Sequence, residues 1–248
     1  MPADTIVRDS FLLVREGIKL RVYTAFPGTG TVLPYPSVQV HHAGGGYAHI
    51  YTHMIETLAR RGFAGIAMIH RGYPGSEGRQ EYGQGEVTDI GNLARRLMTD
   101  PRIDVNRMGI MGYSRGAHHA LLAVEDYDFF QAAALWSTPV DMVEHVMVNP
   151  WIAEIIGGSE QSRSQRYYQL SAIHFVDRIA CPRLLIHGEK DRIIPIRHTR
   201  RLAATMQRAG KPHEVRYHSR EGHIWSPGAF RENWQLTLDF FNRFLPVV

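Results

Sequence analysis

A serine flanked by two glycines is the pattern in this sequence with the clearest chemical potential. Gly112, Ser114 and Gly116 form Gly-x-Ser-x-Gly at the end of a short apolar run, and residues 117–124 after it carry apolar side chains at helical spacing. A strand that turns into a helix within one residue strains the backbone of the serine and exposes its hydroxyl. We therefore predict that Ser114 is a nucleophile at a helix N-terminus, with the backbone N–H of Arg115 pointing at the group it attacks.

A serine hydroxyl is too weakly acidic to attack a carbonyl unaided. It needs a neutral imidazole as base and a carboxylate that orients this imidazole. Among 14 histidines, His223 is the candidate base because it alone follows the last predicted strand, in a Glu-Gly-His loop. Asp191 follows the penultimate predicted strand and is the candidate acid, with Asp141 and Glu189 as alternatives. Three such side chains meet where parallel strands end.

Other histidines are interpreted as structural. His118 and His119 lie on the predicted helix behind the serine and are expected to pack in the core. His41 and His42 are expected on opposite faces of a strand, and neither adjacent pair has the spacing of metal ligands. His187 lies within a predicted strand as a hydrogen-bonded core residue. No metal and no organic cofactor is predicted.

A glycine-rich segment follows an earlier predicted strand and reads Ala43-Gly44-Gly45-Gly46-Tyr47. Such a loop can turn backbone N–H groups toward a ligand, so the N–H of Ala43 or of Gly44 is the predicted second donor to a developing oxyanion. The alternative is a flexible connection to the next helix. The glycines do not form Gly-x-Gly-x-x-Gly, so a dinucleotide site is not expected.

Predicted strands alternate with predicted helices, which indicates an α/β protein with a mostly parallel sheet and helices on both faces. An antiparallel hairpin over residues 10–26, turning at Glu16-Gly17, is expected at a sheet edge. The 248 residues are expected to form one domain. The irregular segment 139–177 is predicted to form short helices that partly cap the site.

Large aromatic residues near the predicted site are candidate pocket walls, although they could equally be ordinary core. These predicted substrate-binding residues are Tyr47, Tyr113, Trp136 and Trp151.

Composition limits the other classes of function. Cys181 is the single cysteine, so no intrachain disulfide is expected, and with no signal-like or membrane-spanning segment a cytoplasmic location is predicted. The net charge of +4 comes from scattered basic pairs without interleaved aromatics, which argues against nucleic-acid binding. The expected partner is a small-molecule ester or a short peptide, with no membrane. Homo-oligomerisation is left open.

Five segments together resemble the catalytic domain of the prolyl oligopeptidase family, within the α/β-hydrolase superfamily. They are His42-Ala43-Gly44-Gly45, Arg71-Gly72-Tyr73-Pro74-Gly75, Gly112-Tyr113-Ser114-Arg115-Gly116, His187-Gly188-Glu189-Lys190-Asp191 and Glu221-Gly222-His223. The likeness begins near Ser37. It implies an α/β-hydrolase fold, Ser114 as nucleophile, Asp191 as acid and His223 as base. It also implies an oxyanion hole made by the N–H of Arg115 and that of Ala43 or Gly44.

Two departures from the family pattern shape the functional expectation. Its peptidases usually carry an N-terminal β-propeller, and the roughly 36 residues before the first matching strand are too few for one. The loop also reads His-Ala-Gly-Gly rather than the commoner His-Gly-Gly-Pro. Stand-alone catalytic domains of this family, and the related dienelactone hydrolases, are often esterases. We therefore predict a serine ester hydrolase that forms an acyl-enzyme, with a peptidase or amidase as the alternative.

Rival functions are weaker. A peptidase would need an anchor for the peptide terminus, for which Glu144 and Glu154 are the candidates in segment 139–177. A non-catalytic binding protein on this fold would gain nothing from an intact set of Ser114, Asp191 and His223. A dehalogenase would carry aspartate rather than serine between the two glycines.

Overall fold

The computed structural model describes residues 5–28, 32–45 and 48–247, with only the backbone described at 48–50. In this part of the chain, eight strands form one sheet in the order β1-β2-β4-β3-β5-β6-β7-β8. The strands are β1 (Ile6–Arg15), β2 (Ile18–Pro27), β3 (Tyr35–His41), β4 (Ala64–Met68), β5 (Ile103–Tyr113), β6 (Ala132–Trp136), β7 (Arg183–Gly188) and β8 (His213–His218). From β4 to β8 all neighbours are parallel, which confirms the predicted mostly parallel sheet.

The predicted edge hairpin is present. β1 and β2 pair antiparallel over their whole length, and the turn between them uses Glu16 and Gly17, both with positive φ (49° and 83°). Two consecutive left-handed residues match the right-handed twist of the flanking strands. β2 then pairs antiparallel with β4, so the hairpin extends the parallel sheet at the edge farthest from β8.

Helices cover both faces of the sheet, as predicted. They are α1 (Ala48–Arg60), α2 (Gln84–Leu97), α3 (Arg115–Asp126), α4 (Met142–Val148), α5 (Ile152–Ile156), α6 (Glu160–Gln169), α7 (Arg197–Arg208) and α8 (Pro227–Phe244). One apolar cluster joins the sheet to α2, α3 and α7, and a separate one joins the other face to α1 and α8. The central strands β3, β4, β6 and β7 are buried along their whole length because each lies between these two layers.

Apolar periodicity in the sequence predicts that α8 begins at Phe230 and α2 at Val87, and both helices begin three residues earlier. α8 starts at Pro227 rather than Phe230, because the Ser226 hydroxyl accepts a hydrogen bond from the N–H of Ala229 and Pro227 suits the first helical turn. α2 starts at Gln84 rather than Val87. In both cases the first turn is polar or small, so it carries no apolar signal.

Segment 139–177 forms α4, α5, α6 and two short 3₁₀ turns, in agreement with the predicted short helices. Two aromatic residues of this segment have different surroundings. Tyr167 is buried in the core beside Ile152 and Ile156, whereas Trp151 is 54% exposed and faces the pocket described below. None of the helices in the described ranges combines the length and the apolar character needed to cross a bilayer.

Candidate active site

Ser114 lies on a sharp turn between β5 and α3, with φ 57° and ψ −120°. A Cβ atom at Gly112 would lie 2.2 Å from the carbonyl oxygen of Gly116, and one at Gly116 would lie 2.2 Å from that of His41. Only glycine fits at either position, because the obstructing atoms are backbone. The two glycines of the motif are therefore steric requirements of this turn, which holds the serine at the carboxyl edge of the sheet.

The three predicted catalytic side chains meet at this edge. His223 Nε2 lies 3.0 Å from Ser114 Oγ, and His223 Nδ1 lies 2.7 Å from Asp191 Oδ2. Both distances are within hydrogen-bond reach. The imidazole can take the hydroxyl proton on one side while the carboxylate fixes its tautomer on the other.

The Asp191 carboxylate is fully buried and satisfied. Its Oδ1 accepts the backbone N–H groups of Ile193 and Ile194 at 2.9 and 2.8 Å, and the ring of His187 lies 3.2 Å from its Oδ2. Burial raises the pKa of Asp191, but hydrogen bonds from His187, His223 and Ile194 more than offset this and hold that pKa well below its usual range. The group is therefore a carboxylate at any pH where an enzyme of this kind works.

The alternative acids lie elsewhere. Asp141 caps α4 by accepting the N–H of Glu144, and it pairs with Arg201 at 3.0 Å. Glu189 pairs with Arg200 at 2.7 Å on the surface. Neither carboxylate contacts the ring of His223 in the described structure.

The loop that carries His223 is hydrogen-bonded to the loop that carries Asp191. The N–H of Lys190 donates to the carbonyl of Glu221 at 2.8 Å, and a Cβ at Gly188 would lie 2.6 Å from that same oxygen. The Tyr113 ring stacks on His223 at a centroid distance of 5.3 Å, and its hydroxyl donates to the His223 carbonyl. His223 is thus held in place through its loop, its ring and its carbonyl group.

Arg115, Ala43 and Gly44, the residues predicted to donate to the oxyanion, line the same pocket as Ser114, and one of their N–H groups has an unexpected partner. The N–H of Arg115 belongs to the first residue of α3 and has no intrahelical acceptor. The N–H of Ala43, however, donates to the hydroxyl of Tyr51 at 2.7 Å. Burial raises the pKa of Tyr51 to about 12, so the hydroxyl keeps a proton that it can itself donate. Sequence reasoning missed Tyr51, which reads only as one apolar position of α1.

A pocket of about 570 Å³ opens at Ser114. Tyr113, Trp136 and Trp151 line it, as predicted, together with Met54, Tyr82 and Phe230. Trp136 is only 1% exposed and also belongs to the core, where its indole N–H donates to Thr237 at 3.0 Å. The remaining predicted wall, Tyr47, lies outside the described residues. A larger depression of about 720 Å³ near α5 and α6 is polar, and its lining includes none of Ser114, Asp191 and His223.

A buried histidine cluster runs from the strand ends beneath the pocket toward α7. Its members, connected through ring contacts and through Tyr82, are His41, His42, His70, His118, His119, His145 and His198. The expectation that His41 and His42 diverge is wrong: both contact His70, because β3 ends at His41 and strand alternation stops there. His118 and His119 are fully buried, which confirms their packing role. Within the described ranges, no three His, Cys, Asp or Glu side chains are arranged to hold a metal ion.

The fold and the Ser-His-Asp arrangement define a serine hydrolase of the α/β-hydrolase fold. Residues 49–246 match the prolyl oligopeptidase family, so the chain belongs to that family.

Named relatives are peptidases. The chain is 28% identical to the Uncharacterized peptidase YtmA of Bacillus subtilis (strain 168) over 231 residues, which cover 91% of this chain and 80% of that protein. It is 26% identical to human Dipeptidyl peptidase 8 over 82% of this chain but 24% of that protein.

Solved structures show the same fold. Pyrococcus horikoshii acylaminoacyl peptidase superposes with a TM-score of 0.87 at 20% identity, covering 99% of this chain and 43% of that one. A Mycobacterium tuberculosis puromycin-hydrolyzing peptidase gives 0.87 at 21% identity, covering 97% and 40%. The chain therefore spans less than half the length of these two solved peptidases.

Proposed function

We propose that this protein is a serine peptidase that cleaves amide bonds of short peptides or acylated amino acids through an acyl-enzyme. The observation that carries the proposal is the continuous hydrogen-bonded set Ser114–His223–Asp191, with 3.0 and 2.7 Å contacts. The sequence favoured esters, with peptides as the alternative. Membership in a peptidase family and relatives named as peptidases favour the alternative.

In the proposed reaction, His223 Nε2 takes the proton of Ser114 as Oγ attacks the carbonyl carbon. The oxyanion is bound by the N–H of Arg115 and by the hydroxyl of Tyr51, which the N–H of Ala43 polarises. Removing one such donor from an acyl-transfer enzyme costs about 3 kcal/mol of transition-state stabilisation. His223 then gives its proton to the leaving nitrogen, and water repeats the sequence on the acyl-enzyme.

We also propose that segment 139–177 acts as a cap. Support comes from His145, Asn149 and Trp151, all of which line the pocket. The Asn149 amide donates to the carbonyl of Ile193 at 2.8 Å, in the loop that holds Asp191, so the cap is tied to the catalytic loop.

We also propose a cytoplasmic location, which the single, buried cysteine supports.

The test is a matched pair of substrates, a p-nitroanilide and a p-nitrophenyl ester of the same short N-acylated amino acid. Wild-type protein should cleave both, and Ser114→Ala should cleave neither while keeping its melting temperature. Cleavage of the ester alone, at any accessible enzyme concentration, would return the assignment to an ester hydrolase.

A further inference from the structure

The guanidinium of Arg115 lies at the pocket wall without a carboxylate partner. The residue is 4% exposed, and its Nη1 donates to the hydroxyl of Tyr73 at 2.6 Å and to the side-chain oxygen of Gln80. Both partners are neutral. Its Nε is buried with no hydrogen-bond partner among the described residues. A buried cation is costly unless it is paired, so this arrangement needs an explanation.

A neighbouring buried arginine shows what compensation looks like in this protein. Arg71 donates to both oxygens of Asp89, at 2.7 and 2.8 Å, and pairs with Glu81 at 2.9 Å. Glu86, also buried on this side of the sheet, uses its oxygens to accept the N–H groups of Glu81 and Gly83. Within the described residues, none of these carboxylates forms an ion pair with Arg115.

The unpaired guanidinium belongs to the pocket. Its Cζ lies 4.5 Å from the ring centre of Tyr82 and 5.4 Å from that of Trp151, and both rings line the cavity. A Cβ at Gly44, also in the lining, would be 3.7–3.8 Å from Nε, Cζ and Nη2. Among the described lining residues there is no Asp or Glu, and Glu144 and Glu154 are not part of the wall.

A buried arginine without an ion pair does not by itself indicate a binding site. Arg183 is also buried and forms no ion pair in the described structure, but its guanidinium donates to the carbonyl of Cys181 and it does not line the pocket. Arg115 differs because it lines the pocket that opens at Ser114, and its Nε has no partner in the described structure.

Arg115 and His223 have different neighbours in the described structure. The leaving group must lie next to His223 Nε2, which gives it a proton, and His223 is bordered by Tyr113, Ile224 and Trp225. The contacts of Arg115 are a different set, namely Tyr73, Gln80, Tyr82 and Trp151. With the leaving group next to His223, the Arg115 side of the pocket remains for the retained, acyl part of a substrate.

We propose that Arg115 binds a carboxylate on the acyl part of the substrate, so that the enzyme selects substrates with an acidic group just before the scissile bond. This specificity rests on the proposed hydrolytic function. The guanidinium donates charge-assisted hydrogen bonds to the carboxylate in a pocket whose walls are mostly apolar and whose described lining holds no Asp or Glu, where such bonds are strong. Tyr73 and Gln80 hold the guanidinium in place without neutralising it.

The experiment compares benzyloxycarbonyl-Glu p-nitroanilide with its Gln counterpart, which differ only in a carboxylate against an isosteric amide. Binding of both to Ser114→Ala protein is measured by calorimetry, and cleavage of both by wild-type protein is measured as kcat/KM. We expect the Glu compound to bind at least about tenfold more tightly and to be cleaved preferentially by a similar factor. Because Ser114→Ala binding needs no turnover, failure of the hydrolytic assignment would leave this readout intact.

Two variants in the Ser114→Ala background test the cause. Arg115→Met should abolish the preference for the Glu compound. Gln80→Glu places a carboxylate against the same Nη1, so it should also abolish the preference while the Gln compound binds within about twofold of before. Equal binding of the two compounds to the parent protein, or a preference that survives both variants in folded protein, would overturn the proposal. A preference only for a carboxylate on the leaving group would overturn the acyl-side placement.

Discussion

His223 and His70 are two imidazoles of one protein with opposite surroundings. His223 has a carboxylate 2.7 Å from one ring nitrogen and a serine hydroxyl 3.0 Å from the other, and its side chain is 10% exposed. His70 is fully buried, with the rings of His41 and His119 at 3.0 and 3.2 Å from its two nitrogens. A carboxylate stabilises the imidazolium that forms during catalysis, whereas neighbouring imidazoles disfavour it.

Partners therefore decide what a histidine does in this protein. The pKa of each member of the buried histidine cluster is lowered, primarily by burial and then by neighbouring imidazoles or arginines, for example to about 3 for His41 and about 4 for His118. The pKa of His70 and that of His119 lie well below the usual value for the same reasons. These groups remain neutral and pack, whereas His223 contacts Ser114 and Asp191 and is the proposed base.

The largest expected effect separates the two kinds of histidine by activity. His223→Ala should lower kcat by about 10⁴-fold or more, because the serine loses its base, with little change in melting temperature. His70→Ala should do the reverse, lowering the free energy of unfolding by about 2–4 kcal/mol while kcat of the folded protein stays within tenfold. Steady-state kinetics and urea unfolding of both variants measure this. A His70→Ala protein that is inactive but as stable as wild type would contradict a purely structural role for His70.

The second prediction concerns acid stability. In the unfolded chain the cluster histidines titrate near pH 6.5, but in the folded protein their pKa values are lowered. Below pH 6.5 the unfolded state thus binds protons that the folded state does not bind. Each group then lowers the free energy of unfolding by up to about 1.4 kcal/mol for each unit by which the pH falls.

We expect the free energy of unfolding to be flat with respect to these groups above pH 7 and to fall steeply between pH 6.5 and 5. Urea unfolding across this range measures the slope. His118→Asn should reduce that slope by one proton, whereas His53→Asn on α1, outside the cluster, is the matched control. The prediction would be wrong if the free energy of unfolding fell less steeply with pH than the protonation of two histidines requires.

The third prediction concerns Tyr51. If its hydroxyl donates to the oxyanion, Tyr51→Phe should lower kcat about 100-fold with KM nearly unchanged, since the interaction forms only in the transition state. The same substitution frees the N–H of Ala43. Equal or higher activity would therefore show that this N–H is the donor and that Tyr51 blocks it.

The smallest expected effect concerns His187, which stands between the two classes. It is fully buried like the cluster, yet its Nε2 lies 3.2 Å from Asp191 and 2.8 Å from the carbonyl of Ile194. His187→Leu should lower kcat about tenfold by loosening the acid. Thr199→Val removes only the contact at Nδ1 and is the matched control, expected within twofold of wild type. Equal losses in both variants would indicate general damage rather than positioning.

The sequence predicts the parts of the site that depend on local chain geometry. Ser114, Asp191 and His223 each follow a strand, and parallel strands bring their ends together, so chain order and turn residues were sufficient. Sheet class and helix layers follow from periodicity in the same way.

Side-chain contacts that do not follow from the positions of the strand ends could not be predicted. The Tyr51 hydroxyl contacts the N–H of Ala43, and His70 contacts both His41 and His119. The guanidinium of Arg115 has no carboxylate partner in the described structure, whereas Arg71 pairs with Asp89. These outcomes depend on tertiary distances. A sequence pattern gives the type of each residue but not which neighbours it reaches.

The strained backbone conformation of Ser114 affects which substitutions selection for stability would favour. A non-glycine residue at φ 57° and ψ −120° stores on the order of 1–3 kcal/mol, which glycine would release at once. Ser114→Gly should thus give a dead enzyme that outlasts its parent on heating. Directed evolution that selects only for thermal stability should therefore replace Ser114 early. The serine is kept only where selection also acts on activity.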